Sequence, residues 1–176
     1  MRDRLTGAAG ALALCLAAGG ASAQVSLVEA GIVCPEIRES LGSRPAPDTE
    51  AGRVDTIAGE VEFDLPDRAV PLIQHVGFGF RIALDEGMPD TDVTIVVEHP
   101  PFGARAVERE SWTQPIAAGG EAVNLFTFDL PYEMVPGRWT FAAEIDGERL
   151  VEVPFDVGAP GAAERVDAVC LSMLSV

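Results

Sequence analysis

The chain has 176 residues, 48% of them hydrophobic, 23% charged and 6% aromatic, with a formal charge of -16 and a pI near 4.3. Apolar content this high, with aromatics present, excludes a collagen, a coiled coil and a disordered acidic tail. The negative field repels polyanions and argues against nucleic acid and anionic membrane surfaces as partners, although surface acid also serves simple solubility. All twelve basic residues are arginine, so a Schiff-base or other lysine mechanism is excluded.

Arg2 and Arg4 precede an apolar stretch from Leu5 to Ala18, and Ala21-Ser22-Ala23 forms a small-residue cleavage site. That pattern predicts a cleaved signal peptide over residues 1–23, leaving one domain over 24–176 and a periplasmic or secreted location. Lipidation at Cys15 is the rival reading, and bulky Leu14 beside it argues against that cleavage. No later apolar run reaches the length of a membrane span. A domain of this size buries about 68–70% of its unfolded surface, so it needs no metal to fold, and no cofactor is expected.

Cys34 and Cys170 remain after processing, and in an oxidising compartment they predict one disulfide. Closing so long a loop contributes about 2–4 kcal/mol by restricting the unfolded chain. A redox pair is the competing reading, disfavoured by the wide spacing without C-x-x-C.

Short alternating runs between Gly, Pro and Asp clusters predict an all-β antiparallel sandwich of about seven strands. Val28, Ala30, Ile32 and Cys34 share one face of the first run, and a loop follows from Pro35 to Gly52. Ile57, Val61, Phe63 and Leu65 alternate with Glu60, Glu62 and Asp64 in the second. The third, Val76 to Leu84, puts Phe78, Phe80, Ile82 and Leu84 on one face. Its other face carries Gly77 and Gly79, a trough that another backbone or a ring can approach. Val93, Ile95 and Val97 form a fourth run that stops at His99-Pro100-Pro101. A short edge strand is expected near Ser111-Trp112-Thr113, and a fifth run carries Phe126, Phe128 and Leu130.

Trp139, Phe141, Ala143 and Ile145 alternate on one side of Asp146-Gly147, and Val151, Val153, Phe155 and Val157 on the other. A two-residue turn there opposes Phe141 to Glu152, mixing core and solvent faces. A three-residue loop, Ile145 to Gly147, instead sets Trp139 opposite Val153 and Phe141 opposite Val151, and this register is predicted. Ala163, Val166, Val169, Cys170 and Met173 recur at helical spacing, so the tail is a short helix or a turn pinned by the disulfide.

Val76-Gly77-Phe78-Gly79-Phe80-Arg81-Ile82, Glu98-His99-Pro100-Pro101, Tyr132 through Phe141 with its Glu-x-Val-Pro-Gly-x-Trp-x-Phe core, and Phe155-Asp156-Val157 carry a resemblance. Over residues 70–157 the chain resembles the bacterial exported domain-of-unknown-function family 3859. The resemblance implies an immunoglobulin-like β-sandwich and carries over no activity, cofactor or catalytic residue. The cysteine pair and the loop from Pro35 to Gly52 fall outside the stretch that carries it.

Composition and spacing identify no reaction. His75 and His99 are the only histidines, and they sit on different strands without the paired spacing of a zinc site. Asp85, Asp90 and Asp92 are the weak metal candidates: they lie in an acidic turn of oxygen ligands suited to calcium, but without the EF-hand pattern. No serine lies in G-x-S-x-G. Trp139 alternates with core positions, whereas Trp112, in an irregular stretch, together with Phe102, Tyr132 and His99, forms a possible surface for stacking on a sugar or anchoring a protein. The expectation is therefore an exported, non-catalytic binding or interaction module with an envelope protein or carbohydrate as partner. The alternatives are a small envelope hydrolase using carboxylates and His99, and a calcium-stabilised structural domain.

Overall fold

In the computed structural model the described residues are 24–35, 39–159, 161 and 163–173; the expected signal peptide lies outside them. The chain forms β1 (Val25–Val33), β2 (Ser40–Pro45), β3 (Arg53–Ile57), β4 (Ala69–Pro71), β5 (Gly77–Leu84), β6 (Thr91–Phe102), β7 (Val107–Ile116), β8 (Glu121–Thr127), a 3-10 turn at Pro131–Glu133, β9 (Gly137–Ile145), β10 (Glu148–Gly158) and α1 (Glu164–Met173). One sheet has the order β1-β5-β8, a second β4-β10-β9-β6-β7, and β2-β3 stand apart as a hairpin. All pairings are antiparallel except β4 with β10. The predicted all-β sandwich is present, with ten described strands in place of about seven.

The two larger sheets meet through β-branched and aromatic side chains. Phe78 of β5 lies 5.5, 5.7 and 5.2 Å from the rings of Trp139, Phe141 and Phe155 in the facing sheet. Trp139 is wholly buried, and its Nε1–H donates to the Val135 carbonyl at 3.1 Å, so the indole leaves no polar group unmet. Val93, Ile95 and Val97 are fully buried, as their alternation predicts.

Several local expectations are corrected. A register shift between Leu27 and Glu29 resets the alternation of β1, so Val25, Ala30 and Ile32 point inward and Val28 is exposed. The stretch predicted as loop contains β2. The run Ile57 to Leu65 buries Val61 and Leu65 as expected yet forms no ladder beyond β3, because the chain turns at Gly59 (φ 81°) and meets the β1 backbone in an isolated Leu65–Ile32 bridge. Leu130 lies past the end of β8 and is exposed. β6 continues through His99 and both prolines to Phe102, its ladder with β7 irregular between Glu98 and Phe102.

The β9-β10 register also differs from the prediction. Asp146 and Gly147 form a two-residue turn with φ of 51° and 81°, pairing Ile145 with Glu148. The ladder then shifts between Arg149 and Val151, and that extra residue on β10 sets Phe141 opposite Val153 and Trp139 opposite Phe155. One additional residue is needed to keep both faces consistent; the chain places it in a bulge rather than in the loop. The tail is helical: α1 buries Val166 and Cys170, and Cys170 is joined to Cys34 across 136 positions with Cα atoms 4.9 Å apart.

Candidate functional site

Gly77 and Gly79 leave the outward face of β5 low, and next to it β8 turns Val123, Leu125 and Thr127 the same way. Over this face stand the β2-β3 hairpin and the segment that follows it. Between them lies a cleft of about 790 Å³, floored by Gly77, Val123 and Leu125 and walled by Val54, Ile57 and Val61.

The hairpin is held at its tip. The Glu50 N–H donates to Glu110 Oε1 at 2.6 Å, while the Glu50 carboxylate accepts the Ala104 N–H and Arg105 Nε–H, both at 2.9 Å. Arg105 also donates to the Thr49 carbonyl. Nearer its base, Arg44 donates to the Thr113 carbonyl and to Gln114 Oε1. Arg81, on the glycine-bearing face, donates to the Val61 carbonyl at 2.6 Å and to Glu29 at 2.7 Å, tying the covering segment down.

Arg44, Arg53 and Arg81 line the cleft, against Asp55, Glu60, Glu110, Glu121, Asp129 and Glu133. The arginines are already engaged by the groups above and by Asp55 at 3.6 Å. The site therefore favours neutral or cationic ligands. Burial raises the Glu110 and Glu133 carboxyls above the usual range, opposed by backbone N–H bonds: from Glu50 to Glu110, and from Leu130 and Asp129 to Glu133. Asn124 also borders the cleft; its Oδ1 accepts the Trp112 Nε1–H at 3.1 Å, and its Nδ2 is buried without a partner among the described residues.

The four residues expected to form an exposed binding surface are divided by the fold. His99 and Phe102 are buried and stacked, ring centroids 4.2 Å apart, with Trp139 4.7 Å from His99. β6 runs on past the two prolines, and that carries them into the core. Tyr132 is exposed, 6.0 Å from Phe102, and Trp112 is half-buried on β7, bridging to Asn124. His75 is exposed beside Asp129 at 3.5 Å, well separated in role from His99.

Asp85, Asp90 and Asp92 are not gathered into a cation site. Asp85 Oδ1 accepts the Gly87 N–H at 2.7 Å within its own turn, and Asp90 Oδ1 accepts the Ala118 N–H at 3.0 Å, tying that turn to the β7-β8 connection. No group of three or more His, Cys, Asp or Glu able to hold a metal occurs among the described residues. Sequence reasoning missed Glu110, which lies in the stretch of weak periodicity between Phe102 and Ala122, and Asn124, a polar residue in phase with Phe126 and Phe128. The glycine trough was the readable signal, and its Gly77 lies in the floor of the cleft.

A profile for the domain of unknown function DUF3859 matches residues 21–157. The match starts well before the stretch that carries the resemblance in sequence; it takes in Cys34 and β2-β3, and ends before Cys170. Among solved structures the chain is similar to an immunoglobulin-like protein from Pseudomonas aeruginosa, with 21% identity over 74% of this chain and 99% of that one and a TM-score of 0.48. It is also similar to an alkylpurine DNA glycosylase from Pseudomonas fluorescens bound to DNA containing an abasic site analog, with 13% identity over 52% of this chain and 28% of that one and a TM-score of 0.35. No curated protein matches the chain. With more than half of its length matched, from the first described strand to the last, the chain belongs to the DUF3859 family.

Proposed function

We propose that this protein is an exported, non-catalytic binding domain whose ligand site is the cleft between the β2-β3 hairpin and the outward face of β5 and β8. The single observation that supports it most is the cleft itself, open and of about 790 Å³, a size within the range of ordinary ligand pockets. Export is supported by the Cys34–Cys170 disulfide, a bond favoured in oxidising compartments. No helix among the described residues is long and apolar enough to cross a membrane.

The hydrolase alternative fares worse on geometry. The His99 side chain is fully enclosed, its Nδ1 bound to the Pro100 carbonyl at 2.9 Å and its ring stacked on Phe102 and packed beside Trp139, so it cannot exchange protons with a molecule in the cleft. Arrays of peptides and of glycans, probed with wild type and with Val123→Trp, test the binding reading. Wild type should retain at least one class of array member, and the bulkier floor should abolish that retention. Equal retention by both proteins, or hydrolysis of chromogenic ester or glycoside probes that disappears in Glu110→Gln, would overturn it.

A further inference from the structure

The sheet edges are not treated alike. β7 ends the five-stranded sheet and its free side is covered: the Ser111 N–H donates to the Asp48 carbonyl at 3.3 Å, Arg44 donates to the Thr113 carbonyl, and Pro115 has no N–H. β1 is shielded by the Leu65 bridge and by Arg68, which donates to the Ala30 carbonyl. β4, at the remaining edge, has only three residues. β8 ends the other sheet, and among the described residues no backbone pairs with its far side.

The ladder phase shows which groups are free. The Leu84 N–H donates to the Gly120 carbonyl at 2.9 Å and the Phe128 N–H to the Val76 carbonyl at 3.1 Å, at the two ends of the β5-β8 pairing. Antiparallel bonding alternates, so the even-numbered residues of β8 bond to β5, and Glu121, Val123 and Leu125 direct N–H and C=O away from the sheet. These residues border the cleft, and the side chains of Val123 and Leu125 are only half-buried there.

We infer that the free edge of β8 accepts an extended polypeptide segment of neutral or basic composition, which lies in the cleft as an added strand. This rests on the cleft being the ligand site. Main-chain bonds to Val123 and Leu125 supply affinity, and alternate side chains of the guest stand on the cleft side of the sheet, next to those of Val123 and Leu125. Charge selects the guest: six carboxylates against three engaged arginines line the cleft, and the formal charge of -16 opposes a second copy of this chain.

The test uses the full mature protein and a displayed library of random peptides as long as the seven-residue β8 and free of Asp and Glu. The tightest peptide is resynthesised with N-methyl groups at alternate residues, and separately with Glu at its ends. Binding should slow amide exchange at Val123 and Leu125, and should fall at least about tenfold on N-methylation and on acidification. A retained peptide that shifts His75 and Arg81 resonances without protecting Val123 or Leu125 overturns strand addition and leaves the cleft as a ligand site. A library yielding no cleft binder overturns it as well, and the glycan arrays then decide the cleft reading separately. Sedimentation showing a dimer whose contact protects the β8 amides also overturns the inference, since the occupant is then a second copy.

Discussion

His99 donates its Nδ1–H to the Pro100 carbonyl, because a carbonyl can only accept; the neutral ring therefore presents a lone pair on Nε2, facing Glu110 Oε2 at 3.9 Å. Glu50, Arg105 and Glu133 surround the Glu110 carboxyl and Glu108 lies near the imidazole. Burial lowers the His99 pKa from 6.5 and raises that of Glu110 from 4.5, so each group favours its neutral form in the folded protein. The signs are opposite in pH. The His99 contribution is complete above its unfolded pKa and is lost as pH falls below it; the Glu110 contribution is complete below its own unfolded pKa and is lost as pH rises through the folded value. Denaturant midpoints measured from about pH 4.5 to 7.5 should show this: His99→Phe flattens the acid-side decline and Glu110→Gln the neutral-side decline, each by on the order of 1 kcal/mol. Curves parallel to wild type for both variants would refute the assignment.

At the scale of elements, the β2-β3 hairpin owes its position to a few polar contacts at its tip rather than to a core of its own. Its strands carry mostly exposed side chains. Glu50→Ala removes the carboxylate that Ala104 and Arg105 share, while the Glu50 N–H bond to Glu110 remains. Backbone amides of β3 should then exchange at least about tenfold faster, with those of β5 and β9 unchanged, because local opening is governed by local contacts. Equal acceleration in all three strands would mean that the tip supports the whole sandwich. Strong alternation made the core strands readable: Phe78, Phe80, Trp139, Phe141 and Phe155 all sit inside, where the sequence puts them. The hairpin was not readable because Pro, Ser and Gly in residues 35–52 carry turn signals and no apolar face. Parity at Asp146-Gly147 required one extra residue but could not say on which strand it would fall. Glu110 and the free side of β8 were illegible for a different reason: each depends on which strand ends a sheet, and that is decided by distant pairing.

For the molecule as a whole, the disulfide fastens α1 to the end of β1. Cys170 lies beyond the matched family region, so the C-terminal helix is an addition to the sandwich held by a covalent link and by burial of Val166. Replacing both cysteines, Cys34→Ser with Cys170→Ser, should lower unfolding stability by about 2–4 kcal/mol in urea without changing the β-sheet circular dichroism. A loss of under about 0.5 kcal/mol would show that the helix docks equally well without the bond. The same link has a mechanical meaning. Tension applied to chain on either side of Cys34 and Cys170 is carried through sulfur and bypasses residues 35–169. Only β1 and the end of α1 lie in the loaded path, so pulling strips one strand from β5 and then stops, leaving the cleft and its hairpin unstretched.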